Sequence, residues 1–179
     1  MRKFLVPGAL ALLFGGATVA QAQVPSVVPS LKPSLYAGIA LPTGDFKTGM
    51  NSGYTLGGAL DLTLPASPVA FRGEGSYTSF DASGGGAKTS DASGRVNLVL
   101  PMHMIVATPY LIGGVGYYHV TSDVTGFGSA SENKIGYNVG AGIDLPLGVM
   151  AARIEARYHH VSLDGGSYTY VPITFGIRF

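Results

Sequence analysis

Apolar residues recur at every second position through most of the chain, from Leu35 to Phe179. In the last segment Thr169, Val171, Ile173, Phe175, Ile177 and Phe179 alternate with Tyr168, Tyr170, Pro172, Thr174, Gly176 and Arg178. Successive side chains of a β-strand point to opposite faces, so a strict period of two predicts strands with two different faces. The sequence therefore predicts an all-β chain.

Eight such segments are separated by links whose length and composition alternate. The segments cover residues 34–41, 53–64, 69–80, 91–100, 106–120, 132–145, 149–163 and 168–179. Three short links open with Leu-Pro, at residues 64–65, 100–101 and 145–146, and proline ends a strand because it donates no ladder hydrogen bond. The other links, at residues 42–52, 81–90, 121–131 and 164–167, are polar and are predicted to be loops. Loops at one end and short turns at the other are typical of transmembrane β-barrels.

Composition excludes several other classes of protein. Only 12% of the residues are charged, against about a quarter in a soluble domain, and the mean hydropathy is +0.32. Beyond the N-terminus there is no apolar run of the roughly 18 residues that a membrane-spanning helix needs. Ten tyrosines and eight phenylalanines argue against disorder, and the absence of cysteine excludes disulfides and thiol chemistry.

The polar faces of the strands carry both charges and glycines, and this combination distinguishes two kinds of barrel. A soluble sandwich or barrel would turn these faces to water, where glycine weakens a strand without benefit. Inside a narrow eight-stranded barrel, glycine leaves room for long neighbours. The glycines concerned are Gly38, Gly57, Gly114, Gly116, Gly136, Gly140, Gly142 and Gly176. We therefore expect the polar faces to line a lumen and the apolar faces to meet lipid.

Residues 1–22 have the form of an export signal. Arg2 and Lys3 precede an apolar run with a Gly15-Gly16 break, and Ala20-Gln21-Ala22 resembles a signal-peptidase site; the competing interpretation is a membrane anchor. Cleavage after Ala22 would change the formal net charge from +1 to −1, which offers nucleic acid no basic surface. Residues 23–33 contain prolines four apart and are predicted to form an extended periplasmic tether, which leaves 34–179 for the barrel.

Three segments resemble the outer-membrane β-barrel family of the OmpA transmembrane domain and OmpX type. They are YAGIALPTGDF at residues 36–46, PYLIGGVG at 109–116 and YVPITFGIRF at 170–179. The resemblance implies an eight-stranded antiparallel up-and-down transmembrane β-barrel in the outer membrane of a Gram-negative-type bacterium, monomeric and with both termini in the periplasm. It also implies contacts with outer-membrane lipid and lipopolysaccharide, and roles in adhesion, envelope integrity or defence.

The outward-facing residues of the C-terminal segment and the aromatic residues of the strands predict an assembly signal and aromatic girdles. Val171, Ile173, Phe175, Ile177 and Phe179 are similar to the C-terminal signal that the outer-membrane assembly machinery reads. The chain has no tryptophan for the aromatic girdles that flank the lipid band. Tyr54, Tyr77, Phe80, Tyr117, Tyr137, Tyr158, Phe175 and Phe179 are predicted to supply them.

Charges inside so narrow a barrel must be paired, because an isolated buried charge costs several kcal/mol. We expect a network across the lumen from Asp61, Arg72, Glu74, Arg95, Asn97, Lys134, Asp144, Arg153, Glu155, Arg157 and Arg178. Such a network either fills the lumen and fixes the strand register, or forms a narrow porin-like channel. The excess of positive groups would give such a channel a weak preference for anions.

One further pair suggests an enzyme. His160 and Ser162 are two apart on one strand and are predicted to face lipid, as in the His-x-Ser of lipid A 3-O-deacylases, where histidine is the base and serine the nucleophile. The residues that follow differ from that family, and Asp164 is the only nearby carboxylate that could orient His160. We therefore expect that the protein is not an enzyme, and the sequence predicts no cofactor and no metal site.

Overall fold

A computed structural model describes residues 28–102, 104, 106–164 and 166–179. The strands are β1 (Ser30–Pro42), β2 (Gly53–Thr63), β3 (Ala70–Asp81), β4 (Ala87–Pro101), β5 (Thr108–Val124), β6 (Gly128–Leu147), β7 (Met150–Leu163) and β8 (Gly166–Arg178). Each strand pairs antiparallel with the next, and β8 pairs with β1 to close the barrel. The predicted eight-stranded antiparallel up-and-down barrel is confirmed.

The two faces of every strand separate as the period of two predicts. In β2, Thr55, Ala59 and Asp61 are buried in the lumen, whereas Leu56 and Leu60 on the other face are half exposed. Repeated around the barrel, the exposed faces form a continuous apolar band that suits a lipid surface. In the described part of the chain, no helix is long and apolar enough to cross a membrane.

We call the two ends of the barrel the terminus end, where β1 begins and β8 ends, and the loop end. The predicted export signal at 1–22, and residues 23–27 of the predicted tether, lie outside the described residues. The last four tether residues do not form a tether, because β1 begins at Ser30 and pairs with β2 from Ser30–Thr63 onward. Pro33 lies at the very end of the β1–β8 ladder, where its carbonyl still accepts a hydrogen bond from the Phe179 N–H at 2.9 Å, and proline is tolerated at such a strand-end position.

The loop end contains more sheet than the sequence predicts. The links there shorten to residues 82–86, 125–127 and 164–165, and only residues 43–52 form a long loop, which carries a short 3-10 helix (Gly44–Lys47). The predicted loop 121–131 is instead a hairpin that pairs as far as Val124–Gly128. Its Gly, Ser, Asp and Thr content reflects exposure to solvent on both faces rather than absence of pairing.

An aromatic plug fills the lumen near the loop end. It consists of Phe80, Tyr118, Val120, Val161, Tyr168 and Tyr170, with Phe46 of the 3-10 helix packed on top. The prediction that Phe80 belongs to a lipid-facing girdle is wrong, since its side chain is fully buried in this plug. Phe80 lies three residues after the outward-facing Tyr77, and residues three apart on a strand face opposite sides.

Candidate functional site

Below the aromatic plug the lumen is crossed by one unbroken row of alternating charges, which we call the charge ladder. From the terminus end it runs Arg178, Asp144, Arg153, Asp61, Arg72, Glu155, Arg157, Glu74 and Arg95. Every carboxylate in the row lies between two guanidinium groups. This order places each buried charge beside at least one of opposite sign, the condition under which burial of ions is tolerated.

The lower half of the charge ladder is held by short contacts. Arg178 Nη1 lies 3.0 Å from Asp144 Oδ2, and Arg153 Nε donates to Asp144 Oδ1 at 2.7 Å. Arg153 Nη2 donates to Asp61 Oδ2 at 3.0 Å. Arg72 then crosses the lumen, donating to Asp61 from β2 and to Glu155 from β7. Arg72 thus joins opposite walls of the barrel, and its side chain is almost completely buried.

The upper half centres on Glu74, whose side chain is completely buried. Glu74 accepts hydrogen bonds from both terminal nitrogens of Arg157, from Arg95 Nε at 2.8 Å and from Asn97 Nδ2 at 2.9 Å. Arg157 Nε also lies 2.8 Å from Glu155, which links the two halves. A bidentate arginine–carboxylate contact is among the strongest polar contacts in proteins, so Glu74 is the most heavily engaged acceptor in the lumen.

Strand register brings several of these partners together. Asp61 lies opposite Arg72 on β2 and β3, Glu74 opposite Arg95 on β3 and β4, and Asp144 opposite Arg153 on β6 and β7. Opposite-charge pairs at such positions stabilise a sheet. The contacts from Arg72 to Glu155 and from Arg157 to Glu74 span 83 residues of sequence and depend on closure of the barrel.

Lys134 is the exception among the predicted network residues. It lies at the loop end and forms ion pairs with Asp164 and, at 3.9 Å, with Glu132 instead of joining the charge ladder. The pairing of β6 with β7 begins only at Gly136, so Lys134 lies above the closed part of the barrel. The alternation predicted the correct face of the strand for Lys134, but it did not predict the position of Lys134 along the barrel axis.

Two tyrosines that are not among the predicted network residues also lie in the lumen. Tyr110 donates to Glu155 Oε2 at 2.6 Å, and its ring lies 5.2 Å from the guanidinium carbon of Arg72 and 5.3 Å from that of Arg153. Tyr36 accepts a hydrogen bond from Arg95 at 3.1 Å. Both tyrosines occupy the same alternate positions in their strands as the lumen-facing residues. That position, which we call parity, would have identified them as lumen residues.

Glycines on the lumen face provide the space for these side chains, as predicted from the sequence. A Cβ at Gly116 would lie 2.4 Å from Arg95 Cγ, and one at Gly140 would lie 2.6 Å from Arg157 Cγ. Outward-facing Gly94 has no atom near the position of a Cβ. The two groups of glycines therefore differ in whether a methyl group can be added.

We expect Gly140→Ala to destabilise the barrel by about 1–3 kcal/mol, because the added methyl group overlaps the Arg157 stem and the β7 backbone. Gly94→Ala is the matched control and should change the free energy of unfolding by less than about 0.5 kcal/mol. Urea unfolding of the detergent-folded protein, followed by far-UV circular dichroism, measures both. Equal effects of the two substitutions would contradict the role of the lumen glycines as spacers.

Two cavities in the described lumen differ widely in size. Between the aromatic plug and the charge ladder there is a cavity of about 10 Å³, lined in part by Arg95, Arg157 and His159. A larger cavity, of about 390 Å³, lies at the terminus end below Arg72 and Tyr110, and we call it the vestibule. The charge ladder and the aromatic plug thus separate the vestibule from the loop end.

His160 and Ser162 share the outer face of β7, as predicted. Ser162 Oγ lies 3.4 Å from His160 Nε2, and the His160 ring packs 5.1 Å from the ring of Tyr137. The Asp164 carboxylate, the candidate orienting group, is instead paired with Lys134. A serine nucleophile needs a base that is itself oriented by a third group, and Asp164 is not placed to orient His160.

The histidine and acidic side chains of the described part of the chain are the candidate metal ligands. No group of three or more histidine or acidic side chains there is placed to hold a metal ion. His103 lies outside the described residues, and His119 is exposed with its Nδ1 2.7 Å from Asn133 Oδ1.

The loop end carries the surfaces most exposed to solvent. Residues 122–131 at the end of the β5–β6 hairpin are exposed on both faces, and Phe127 at the turn is 92% exposed. Among the described residues, β6 is paired on one side only from Gly128 to Ile135, because its partner β7 joins at Gly136. An unpaired strand edge offers a row of free backbone donors and acceptors.

The outer membrane protein beta-barrel domain family matches the sequence over residues 8–179. The chain belongs to this family. Together with the closed barrel and its apolar band, membership places the protein in the outer membrane of a Gram-negative-type envelope. No curated protein matches the sequence significantly.

Solved structures with the same fold are distant in sequence. Neisserial surface protein A superposes with a TM-score of 0.70 at 14% identity, covering 84% of this chain and 97% of that one. A major outer membrane protein of Thermus thermophilus gives 0.56 at 13% identity, covering 84% and 98%. The N-terminal barrel domain of Pseudomonas aeruginosa OprF gives 0.54 at 12% identity, covering 83% and 96%. At these identities the likeness extends to the fold alone.

Proposed function

We propose that this protein is a closed outer-membrane barrel that acts at the cell surface through its loop end, as an anchor for contacts with other molecules. The observation that carries the proposal is the combination of a lumen occupied by the charge ladder and the aromatic plug with a hairpin that projects at the loop end. Burying so many paired charges fixes strand register and makes a rigid base for that hairpin. The proposal assigns no catalytic role to His160 and Ser162.

The projecting hairpin is the surface that most favours an interaction role. It presents the exposed Phe127 ring between Gly126 and Gly128, next to the one-sided edge of β6. Aromatic anchors contribute strongly to protein interfaces, and free strand edges pair with extended segments. The proposal includes a monomeric state. It also includes recognition of the C-terminal segment by the outer-membrane assembly machinery, through Val171, Ile173, Phe175, Ile177 and Phe179. The last four of these side chains face outward and are exposed.

Replacing residues 123–129 by a two-residue Asn-Gly turn should abolish surface adhesion without unfolding the barrel. The replaced residues are exposed to solvent and contact the rest of the sheet only at the start of β4 and at Gly86, and Asn-Gly suits a tight hairpin. Adhesion of expressing cells to immobilised extracellular-matrix proteins is compared with that of cells carrying Phe127→Ala and of cells without the protein. A heat-modifiable gel shift verifies folding. Unchanged adhesion of the replacement, with normal surface levels, would contradict the role of the hairpin.

The alternative function is a narrow channel with weak anion preference. It requires water to pass the charge ladder and the plug, whereas the cavity between them is only about 10 Å³. Single-channel recording in planar bilayers separates the two functions, and we expect folded protein to give no stable conductance steps. Regular steps with anion selectivity would support the channel and would leave the hairpin experiment to be judged independently.

A further inference from the structure

The vestibule at the terminus end carries an excess of positive charge that the rest of the lumen lacks. Its charged lining consists of Lys32, Asp61, Arg72, Asp144, Arg153 and Arg178, four cations and two carboxylates. Higher in the lumen, Arg95 and Arg157 are balanced by Glu74 and Glu155, and the buried Asp91 beside the aromatic plug adds a further carboxylate. The excess positive charge of the barrel interior is therefore concentrated at one mouth.

Both carboxylates of the vestibule are already engaged. Asp61 accepts hydrogen bonds from Arg72 and Arg153, and Asp144 pairs with Arg153 and Arg178. Lys32 is the register partner of Asp61, yet among the described residues it forms no ion pair. Lys32 is exposed at the mouth, so its ammonium group is accessible to an incoming anion.

Arginine nitrogens in the vestibule also retain donor capacity. Arg153 is nine-tenths buried or more, and its Nη1 makes no hydrogen bond to any other described residue. Arg178 contacts Asp144 through Nη1 and is partly exposed at the mouth. Guanidinium groups present donors in a fixed fork that matches the oxygens of a phosphate or carboxylate.

The size of the vestibule also suits a small ligand. A cavity of about 390 Å³ has room for an oxyanion with part of its hydration shell, since a water molecule occupies roughly 30 Å³. Ser30 and Thr108, at the first residues of β1 and β5, contribute neutral polar groups to the lining. The mouth opens at the end where, in the predicted orientation, the chain meets the periplasm.

We propose that the vestibule is a binding site for a phosphate-type oxyanion, held by Lys32, Arg153 and Arg178. The source of the oxyanion is either free phosphate or the headgroup phosphate of a phospholipid in the periplasmic leaflet. The site is separate from the hairpin at the loop end and does not depend on the proposed surface role.

The test uses folded protein in octyl glucoside micelles, a detergent that carries no phosphate. Backbone amide NMR signals are followed during titration with inorganic phosphate, with chloride exchanged to hold ionic strength constant. We expect saturable shifts at Lys32 and Arg178 and none at Lys88, which is exposed at the loop end. A second titration with dihexanoyl phosphatidylglycerol distinguishes the sources, because saturation at lower concentration than with phosphate identifies the lipid headgroup.

Lys32→Gln and Lys88→Gln form a matched pair that removes one cation from each end of the barrel. Lys32→Gln should weaken phosphate binding about threefold to tenfold, the loss expected for one charge-assisted contact in a partly wet site. It should leave the gel shift of the folded protein unchanged, since Lys32 lies outside the charge ladder. Lack of saturation with both titrants, or equal weakening by the two substitutions, would overturn the proposal.

Discussion

Glu74→Gln should destabilise the barrel by about 3–5 kcal/mol, because removal of one partner leaves buried charges uncompensated. The Glu74 side chain is fully buried and accepts hydrogen bonds from Arg95, Asn97 and Arg157. Glutamine keeps the shape but replaces one acceptor oxygen by a donor that faces guanidinium groups. Arg157 retains Glu155, whereas Arg95 loses the only carboxylate with which it pairs in the described structure.

Glu132→Gln is the matched control for this experiment. Glu132 is also a paired carboxylate, but it contacts a single cation, Lys134, at 3.9 Å, and its side chain is 40% exposed. Exposed pairs contribute about 0–1 kcal/mol, so the control should unfold nearly as the parent does. The chain has no tryptophan, so unfolding in urea is followed by far-UV circular dichroism and by the heat-modifiable gel shift.

A double variant identifies the cause of the loss. If uncompensated charge is responsible, Glu74→Gln combined with Arg157→Gln should be less destabilised than the sum of the two single changes. Strict additivity would show that uncompensated charge is not the cause of the loss. A Glu74→Gln variant within about 1 kcal/mol of the parent would show that the charge ladder contributes little to stability.

The faces of the strands could be predicted from the sequence because a strand has a period of exactly two. Parity alone placed Asp61, Arg72, Glu74 and Arg153 in the lumen, where the structure has them. The same parity would also have placed Phe80 in the lumen. The girdle prediction failed there because it considered residue type without the position of the residue in the alternation.

The position of a residue along the barrel axis and its contacts across the lumen could not be predicted from the sequence. Lys134 has the parity of a lumen residue, but β6 rises above the point where β7 joins it, and no local signal marks that point. The contact of Arg72 with Glu155 depends on the stagger of all eight strands on closure. Local patterns fix which way a side chain points, and closure decides which partner it meets.

Tyr168→Ala should destabilise the protein by about 3–5 kcal/mol through loss of packing alone, with a further cost for the polar group it uncovers. The Tyr168 ring is fully buried, with centroids 4.7 Å from Phe46, 5.0 Å from Tyr170 and 6.0 Å from Phe80. Its hydroxyl donates to Asp91 Oδ2 at 2.7 Å. Truncation therefore opens a cavity in the aromatic plug and removes the hydrogen bond of a buried carboxylate.

Two further variants separate packing from hydrogen bonding in this effect. Tyr168→Phe keeps the ring and removes only the hydroxyl, so it should cost about 1–3 kcal/mol, since Asp91 Oδ1 already makes no hydrogen bond to a described residue. Tyr158→Ala removes an equal ring from the lipid-facing side of β7, where detergent or lipid can occupy the space, and should cost less than Tyr168→Ala. If Tyr168→Ala and Tyr158→Ala unfold at the same urea concentration, packing in the aromatic plug does not stabilise the barrel. If Tyr168→Phe matches Tyr168→Ala, the stabilisation comes from the contact with Asp91 and not from aromatic packing.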